Sequence, residues 1–74
     1  MEYYYVSIVI ENDFGVFKGK KNKLDKEGLS KLKKLSQLFY TQNGFELDCE
    51  DGTFLVIPPD IIKKSILKII YNKI

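Results

Sequence analysis

The chain has 74 residues, 45% of them hydrophobic and 14% aromatic, with twelve lysines against ten acids for a net charge of +2. That length allows one domain, residues 1–74, near the lower limit at which an apolar core alone holds a fold, and the composition is too apolar for a disordered chain. The single cysteine, Cys49, rules out an intrachain disulfide and with it a disulfide-stapled secreted scaffold, so a reducing cytoplasm is expected.

Lysine is the only basic residue, and Asn, Ile and Tyr are abundant, a usage that points to an AT-rich coding sequence such as that of a low-GC bacterium or its phage. The first apolar run opens with Glu2 and three tyrosines, lacks a basic segment and stops at Glu11. It is too short for a membrane span and wrongly flanked for a signal peptide.

Tyr3 to Ile10 is rich in β-formers and is followed by Glu11-Asn12-Asp13 and then Phe14-Gly15-Val16-Phe17, which predicts a hairpin. The period of two puts Tyr4, Val6, Ile8 and Ile10 on one face and Tyr3, Tyr5, Ser7 and Val9 on the other. Neither face is polar, so one is expected under helices while the other offers a tyrosine-bearing strip of the kind found at interfaces.

Gly19 to Lys23 reads as a loop, and from Asp25 a helical period begins in Leu29, Leu32, Leu35 and Phe39. Asp25 suits the N-cap, with Leu24 and Leu29 at the spacing of a hydrophobic staple. The helix is predicted to end near Tyr40, before Asn43-Gly44, and Gly28 inside it costs about 1 kcal/mol relative to Ala.

Phe45-Glu46-Leu47-Asp48-Cys49-Glu50 alternates apolar and acidic residues, the pattern of a strand with one buried and one wet face. Asp51-Gly52 predicts a type I′ turn pairing Glu50 with Thr53, Cys49 with Phe54, Asp48 with Leu55 and Leu47 with Val56. The buried face then holds Phe45, Leu47, Cys49, Phe54 and Val56. Pro58-Pro59-Asp60 ends the strand and opens a second helix expected to run from 60 to 72. Ile62, Ile66, Ile69 and Ile70 form its main face, and Leu67, Tyr71 and Ile74 form an apolar shoulder open to a partner.

The lysines are segregated. Eight of the twelve lie between Lys18 and Lys34, opposed there only by Asp25 and Glu27. Lys18, Lys20, Lys21, Lys23, Lys31 and Lys34 are therefore candidates for contacting phosphates, although a solvated helix face accounts for the same run. Without arginine, any nucleic-acid binding would read no sequence.

Glu46, Asp48 and Glu50 lie too far apart along a strand to close on one metal ion, and the Asp51-Gly52 region lacks calcium-loop spacing. Cys49 falls on the buried face and has no histidine to serve as its base. The sequence thus implies no catalytic residue, no cofactor and no metal.

From Leu29 to Ile70 the order helix, Asn43-Gly44-Phe45-Glu46-Leu47, hairpin, Val56-Ile57-Pro58 and helix with Lys64-Ser65-Ile66-Leu67 is similar to the HicA-type RNase toxins, whose fold is like a double-stranded-RNA-binding domain. Their catalytic histidine motif has no counterpart in a chain without histidine, so the resemblance carries no activity with it. Tyr3 to Glu11 is similar to the start of HicB-type antitoxins. Membership of neither family follows from these likenesses, and a likeness of fold is only an analogy for function.

The expected architecture is a small α+β two-layer domain in the order ββαββα, with two antiparallel hairpins forming one sheet and both helices packed on one face. The expected function is non-enzymatic binding of a protein, as a homo-oligomer or as a regulatory or inhibitory subunit docked on a larger target. Tyr3, Tyr5, Leu67, Tyr71 and Ile74 are the contact residues in that reading. The alternative is sequence-nonspecific nucleic-acid binding through Lys18 to Lys34; neither a membrane nor a small-molecule substrate is expected.

Overall fold

A computed structural model describes Glu2 to Ile74. The described residues form a mixed α+β structure with antiparallel sheets. Its elements are β1 (Tyr3–Asn12), β2 (Gly15–Lys18), β3 (Asn22–Asp25), α1 (Lys26–Ser36), β4 (Phe45–Asp48), β5 (Phe54–Ile57), α2 (Pro59–Ile62) and β6 (Ile66–Lys73). The order is therefore βββαββαβ rather than ββαββα.

The first hairpin forms with Asn12 paired to Gly15, and the Asn12 carboxamide oxygen accepts the Phe14 N–H at 2.8 Å to fix the turn. β1 is the central strand of the larger sheet. β6 runs antiparallel along one of its edges from Tyr4↔Lys73 to Glu11↔Ile66, so β2 and β3 share the other edge. Between the pairs Val9↔Lys18 and Val6↔Asn22, β1 has two residues and the opposing strand has three, Gly19, Lys20 and Lys21. This extra residue is a bulge within what the sequence predicts as a loop, and Asn22 to Asp25 regain the ladder beyond it.

The β4–β5 hairpin docks at that bulge. It is a separate two-stranded sheet rather than part of a common four-stranded one. Gly19 bridges to Cys49, the Lys20 N–H donates to the Asp48 carbonyl at 3.0 Å, and the Glu50 N–H donates to the Lys18 carbonyl at 3.0 Å. A Cβ on Gly19 would lie 2.9 Å from Leu47 Cδ1 and 3.0 Å from the Ile8 carbonyl oxygen, so glycine is what admits the hairpin this closely.

The hairpin register differs by one residue from the sequence expectation. Leu47 pairs with Leu55, Asp48 with Phe54 and Glu46 with Val56. Asp51 does not take the left-handed conformation a type I′ turn requires, since the only described residues with positive φ are glycines. Cys49 to Thr53 instead close a longer loop, with the Cys49 N–H donating to the Thr53 carbonyl at 2.8 Å and the Thr53 N–H to Asp51 Oδ1 at 2.9 Å. A one-residue slip exchanges the two faces of a strand. Leu55 and Ile57 accordingly turn inward, while Phe54 and Val56 stand 56% and 62% exposed instead of lying in the core.

Asp25 caps α1 as expected, its Oδ1 accepting the Gly28 N–H at 2.7 Å. A Cβ on Gly28 would meet that same oxygen at 3.1 Å, so the glycine leaves room for the cap it helps to make. α1 stops at Ser36, earlier than predicted. The Leu38 N–H then bonds to the Leu35 carbonyl at 3.0 Å, and Phe39–Thr41 form a 3-10 turn. The tightened backbone takes Phe39 into the core and leaves Leu35 exposed, although both belong to one predicted stripe.

The largest correction lies at the end of the chain. The helix expected over 60–72 is four residues long, and a strand of eight residues replaces the rest. α2 closes on Ser65, whose hydroxyl donates to the Ile61 carbonyl at 2.7 Å and accepts from Asn12 Nδ2 at 3.1 Å. Pairing with β1 supplies the backbone hydrogen bonds that helix continuation would have made, and it covers an edge of the most apolar strand in the chain. With that helix gone, the helix–hairpin–helix order that is similar to HicA toxins does not form.

One face of the large sheet carries the core. Ile10 packs with Phe39, Leu47, Cys49, Ile57 and Ile62, all buried, and Ile8, Phe17 and Leu67 border them on the same face. Val6 and Leu29 are buried nearby, where α1 lies against β1 and β3. At about 1.5–3 kcal/mol for each fully buried large apolar side chain, this face holds most of the hydrophobic stabilisation available to so short a chain.

Candidate functional site

The opposite face of the large sheet has no element packed over it among the described residues. Register fixes its composition, because directly paired residues share a side. Tyr5 stands between Lys23 and Asn72, Ser7 beside Ile70, Val9 between Lys18 and Lys68, and Glu11 between Val16 and Ile66. Tyr3 completes the row at the Asp25 end.

Tyr5 is 50%, Ile70 48% and Ile66 56% exposed, and Val16 is also open. Four large apolar or aromatic side chains therefore face solvent on one regular surface, interleaved with the lysines. Val9 is buried in the same row, paired directly with Lys18 on one side and Lys68 on the other. Lys23 Nζ lies 4.7 Å from the centre of the Tyr3 ring, a cation–π contact. Lys68 pairs with Glu11 at 2.7 Å.

Tyr3 and Tyr5 thus lie on one surface, opposite the core. Leu67, Tyr71 and Ile74 do not join into a shoulder, because the helix that would align them is a strand. Leu67 points inward and borders the core. Tyr71 faces the α1 side, with its ring edge-on to Tyr4 at 6.1 Å and Lys33 Nζ 4.2 Å from its centre. Ile74 is exposed, and its N–H bonds to the Tyr3 carbonyl at 2.9 Å.

The six candidate lysines divide between two sides. Lys18 and Lys23 are on the open face, Lys20 and Lys21 are in the bulge, and Lys31 and Lys34 are on α1 across the sheet. Lys31 also pairs with Glu27 at 3.5 Å. Lys20 shares with Glu46 and Asp48 a cleft of about 400 Å³ whose walls include Val6, Ile8, Leu32 and Leu47. The acidic strip therefore adjoins the lysine segment and offsets part of its field.

Cys49 is buried, and loss of hydration pushes its thiol above the usual value of 9.0, with Asp51, Asp48 and Glu50 adding to the effect. That is the opposite of the environment that makes a thiolate nucleophile. No three of His, Cys, Asp and Glu come together as metal ligands among the described residues. No helix of the described residues is long and apolar enough to cross a membrane.

Ile66, Ile70, Lys68 and Val16 belong to the open surface and are absent from the sequence-derived set. The signal for the three on β6 was the period-two series Ile66, Lys68, Ile70, Asn72, hidden because Leu67, Ile69 and Tyr71 between them are apolar as well. The chain matches no known family model, no curated protein and no solved structure.

Proposed function

We propose that this chain is a small binding domain that acts through contact with another protein, and that the open face of the large sheet forms its principal contact. The observation carrying this reading is the coplanar set Tyr5, Ile66, Ile70 and Val16, exposed together on regular strands whose other side already holds the core. Exposed apolar side chains gathered on one surface, rather than scattered singly, mark interaction sites. Lys18 and Lys23 among them set orientation and favour an acidic counterpart. A regulatory or inhibitory subunit docked on a larger protein fits this surface.

The test is photo-cross-linking in native cells, with p-benzoylphenylalanine placed at position 70 and, as control, at position 13 in the exposed turn. The expected result is a discrete protein adduct from position 70 alone, lost when Ile66→Asp is added. An adduct with nucleic acid only, or equal adducts from both positions, overturns the reading.

One observation favours a second reading. Tyr5 lies beside Lys23 and four residues along β1 from the Lys18 row, so an exposed ring adjoins positive charge on an open sheet, as in single-strand binders that stack bases. The separation of Lys31 and Lys34 from this face, and the acidic hairpin beside the bulge, weigh toward the protein partner.

A further inference from the structure

We infer that β6 is a recognition edge that takes up an extended, acid-ended segment of a partner protein as an additional antiparallel strand. This rests on the protein-binding reading and names the chemistry of the partner. Among the described residues β6 pairs with β1 alone, so its outer edge presents a row of backbone donors and acceptors along eight residues. Edges of this kind are usually shortened, bulged, interrupted by proline or covered. β6 has no Pro and no Gly, and its register with β1 is unbroken from Ile66 to Lys73.

The other edges are short or interrupted. The β2–β3 edge is broken by the bulge and occupied by the second hairpin, while β4 and β5 are four residues each and β5 runs into Pro58.

The partner's chemistry follows from charge. After Asp60 every charged side chain is a lysine: Lys63, Lys64, Lys68 and Lys73. Lys68 and Lys73 are drawn back onto β1 by Glu11 at 2.7 Å and Glu2 at 3.0 Å, which weakens their usual role of repelling a neighbouring strand. Lys63 and Lys64, exposed in the turn between α2 and β6, form none of the ion pairs found among the described residues.

β1 is the internal precedent for what β6 accepts, an apolar β-rich strand bracketed by Glu2 and Glu11 that ion-pair with lysines near the two ends of β6. A partner strand of the same pattern satisfies the outer edge, gaining affinity from the backbone and register from its terminal acids. A second copy of β6 would instead set one lysine-bearing edge against another.

The probe is the capped peptide Glu-Glu-Thr-Val-Thr-Val-Thr-Val-Glu-Glu, titrated into the uniformly 15N-labelled full chain, with a counterpart bearing Lys for every Glu. The acid-ended peptide is expected to shift the β6 amides and to slow the exchange of those on the outer edge, at Leu67, Ile69, Tyr71 and Lys73. The lysine-ended peptide, or the K63E/K64E variant with the acid-ended one, is expected to bind about tenfold more weakly.

Equal binding of the two peptides overturns the acidic partner, and unchanged β6 amides overturn the edge. Shifts confined to Tyr5, Ile66 and Ile70 also overturn the edge but leave the open-face reading standing. Concentration-dependent self-association that protects β6 without peptide overturns the inference in favour of a second copy.

Discussion

Leu47 stands directly opposite Leu55 across the second hairpin, and this pair decides which side of β5 belongs to the core. Ile57, two residues beyond Leu55, is buried on the same side, while Val56 is open to solvent. Ile57→Ala should therefore cost about 2–5 kcal/mol, as expected for truncating a buried branched side chain. Val56→Thr should stay within about 0.5 kcal/mol. Urea unfolding of the two variants measures both, and a larger loss for Val56→Thr would mean that the hairpin pairs in the other register.

Gly19→Ala should loosen the second hairpin from the large sheet. The added methyl has a backbone oxygen on one side and Leu47 on the other, and overpacking of this kind costs about 1–3 kcal/mol. Cys49 reports the effect locally. Its thiol is buried and held in the protonated form by loss of hydration and by the nearby carboxylates, so a thiol reagent should label the native chain slowly. In Gly19→Ala the labelling rate should rise more than in a variant of equal global stability altered under α1, such as Leu29→Ala. Equal rates would show that the hairpin does not open on its own.

The parts of this fold that were legible in the sequence rest on local chemistry. Asp25 had a helix to cap, Asn12 and Gly15 had a turn to make, and the alternation from Phe45 to Glu50 put the acids outside. The misread parts depend on distant partners. Ile66 to Lys73 is apolar on both sides, so its period could not separate a buried helix from a strand, and only pairing with β1 decided it. Ile residues at 66, 69 and 70 were the available hint, since β-branched side chains favour strands.

The same substitution of strand for helix explains the candidate surface. Tyr3 and Tyr5 were visible from the period of β1, whereas Ile66 and Ile70 join them only because β6 lies alongside. Leu67 and Tyr71 leave the set because alternation turns them toward the other side.

Acid should fray the end of the sheet where Glu2 meets Lys73. Glu2 lies below its ordinary 4.5 because the Lys73 ammonium and then the Tyr4 hydroxyl donate to its carboxylate, and Lys73 lies above its ordinary 10.5 because of Glu2. A depressed carboxyl stabilises above its unfolded value and ceases to do so as pH falls through the folded one. A raised ammonium stabilises below its unfolded value and fails as pH rises through the folded one. The bridge therefore holds between about pH 4.5 and pH 10.5. Amide exchange at Tyr4, Asn72 and Ile74, corrected for intrinsic rates, should speed up on going from about pH 6 to about pH 3. Glu2→Gln should remove most of that difference; an unchanged difference would place its cause elsewhere.

Salt dependence separates the two sides of the lysine segment. Only Lys18 and Lys23 accompany Tyr5 on the open face, with Lys68 engaged by Glu11, so a single-stranded oligonucleotide would meet two or three charges there. At about 0.7 per phosphate neutralised, the affinity should fall with a log–log slope of roughly −1.4 to −2 between about 50 and 200 mM salt. K18Q/K23Q should remove most of that dependence, while K31Q/K34Q should leave it unchanged, because α1 lies across the sheet. Fluorescence anisotropy measures both. A slope near −4, reduced equally by either pair of substitutions, would mean that lysines on both sides engage one strand, and it would favour the nucleic-acid reading over the protein partner.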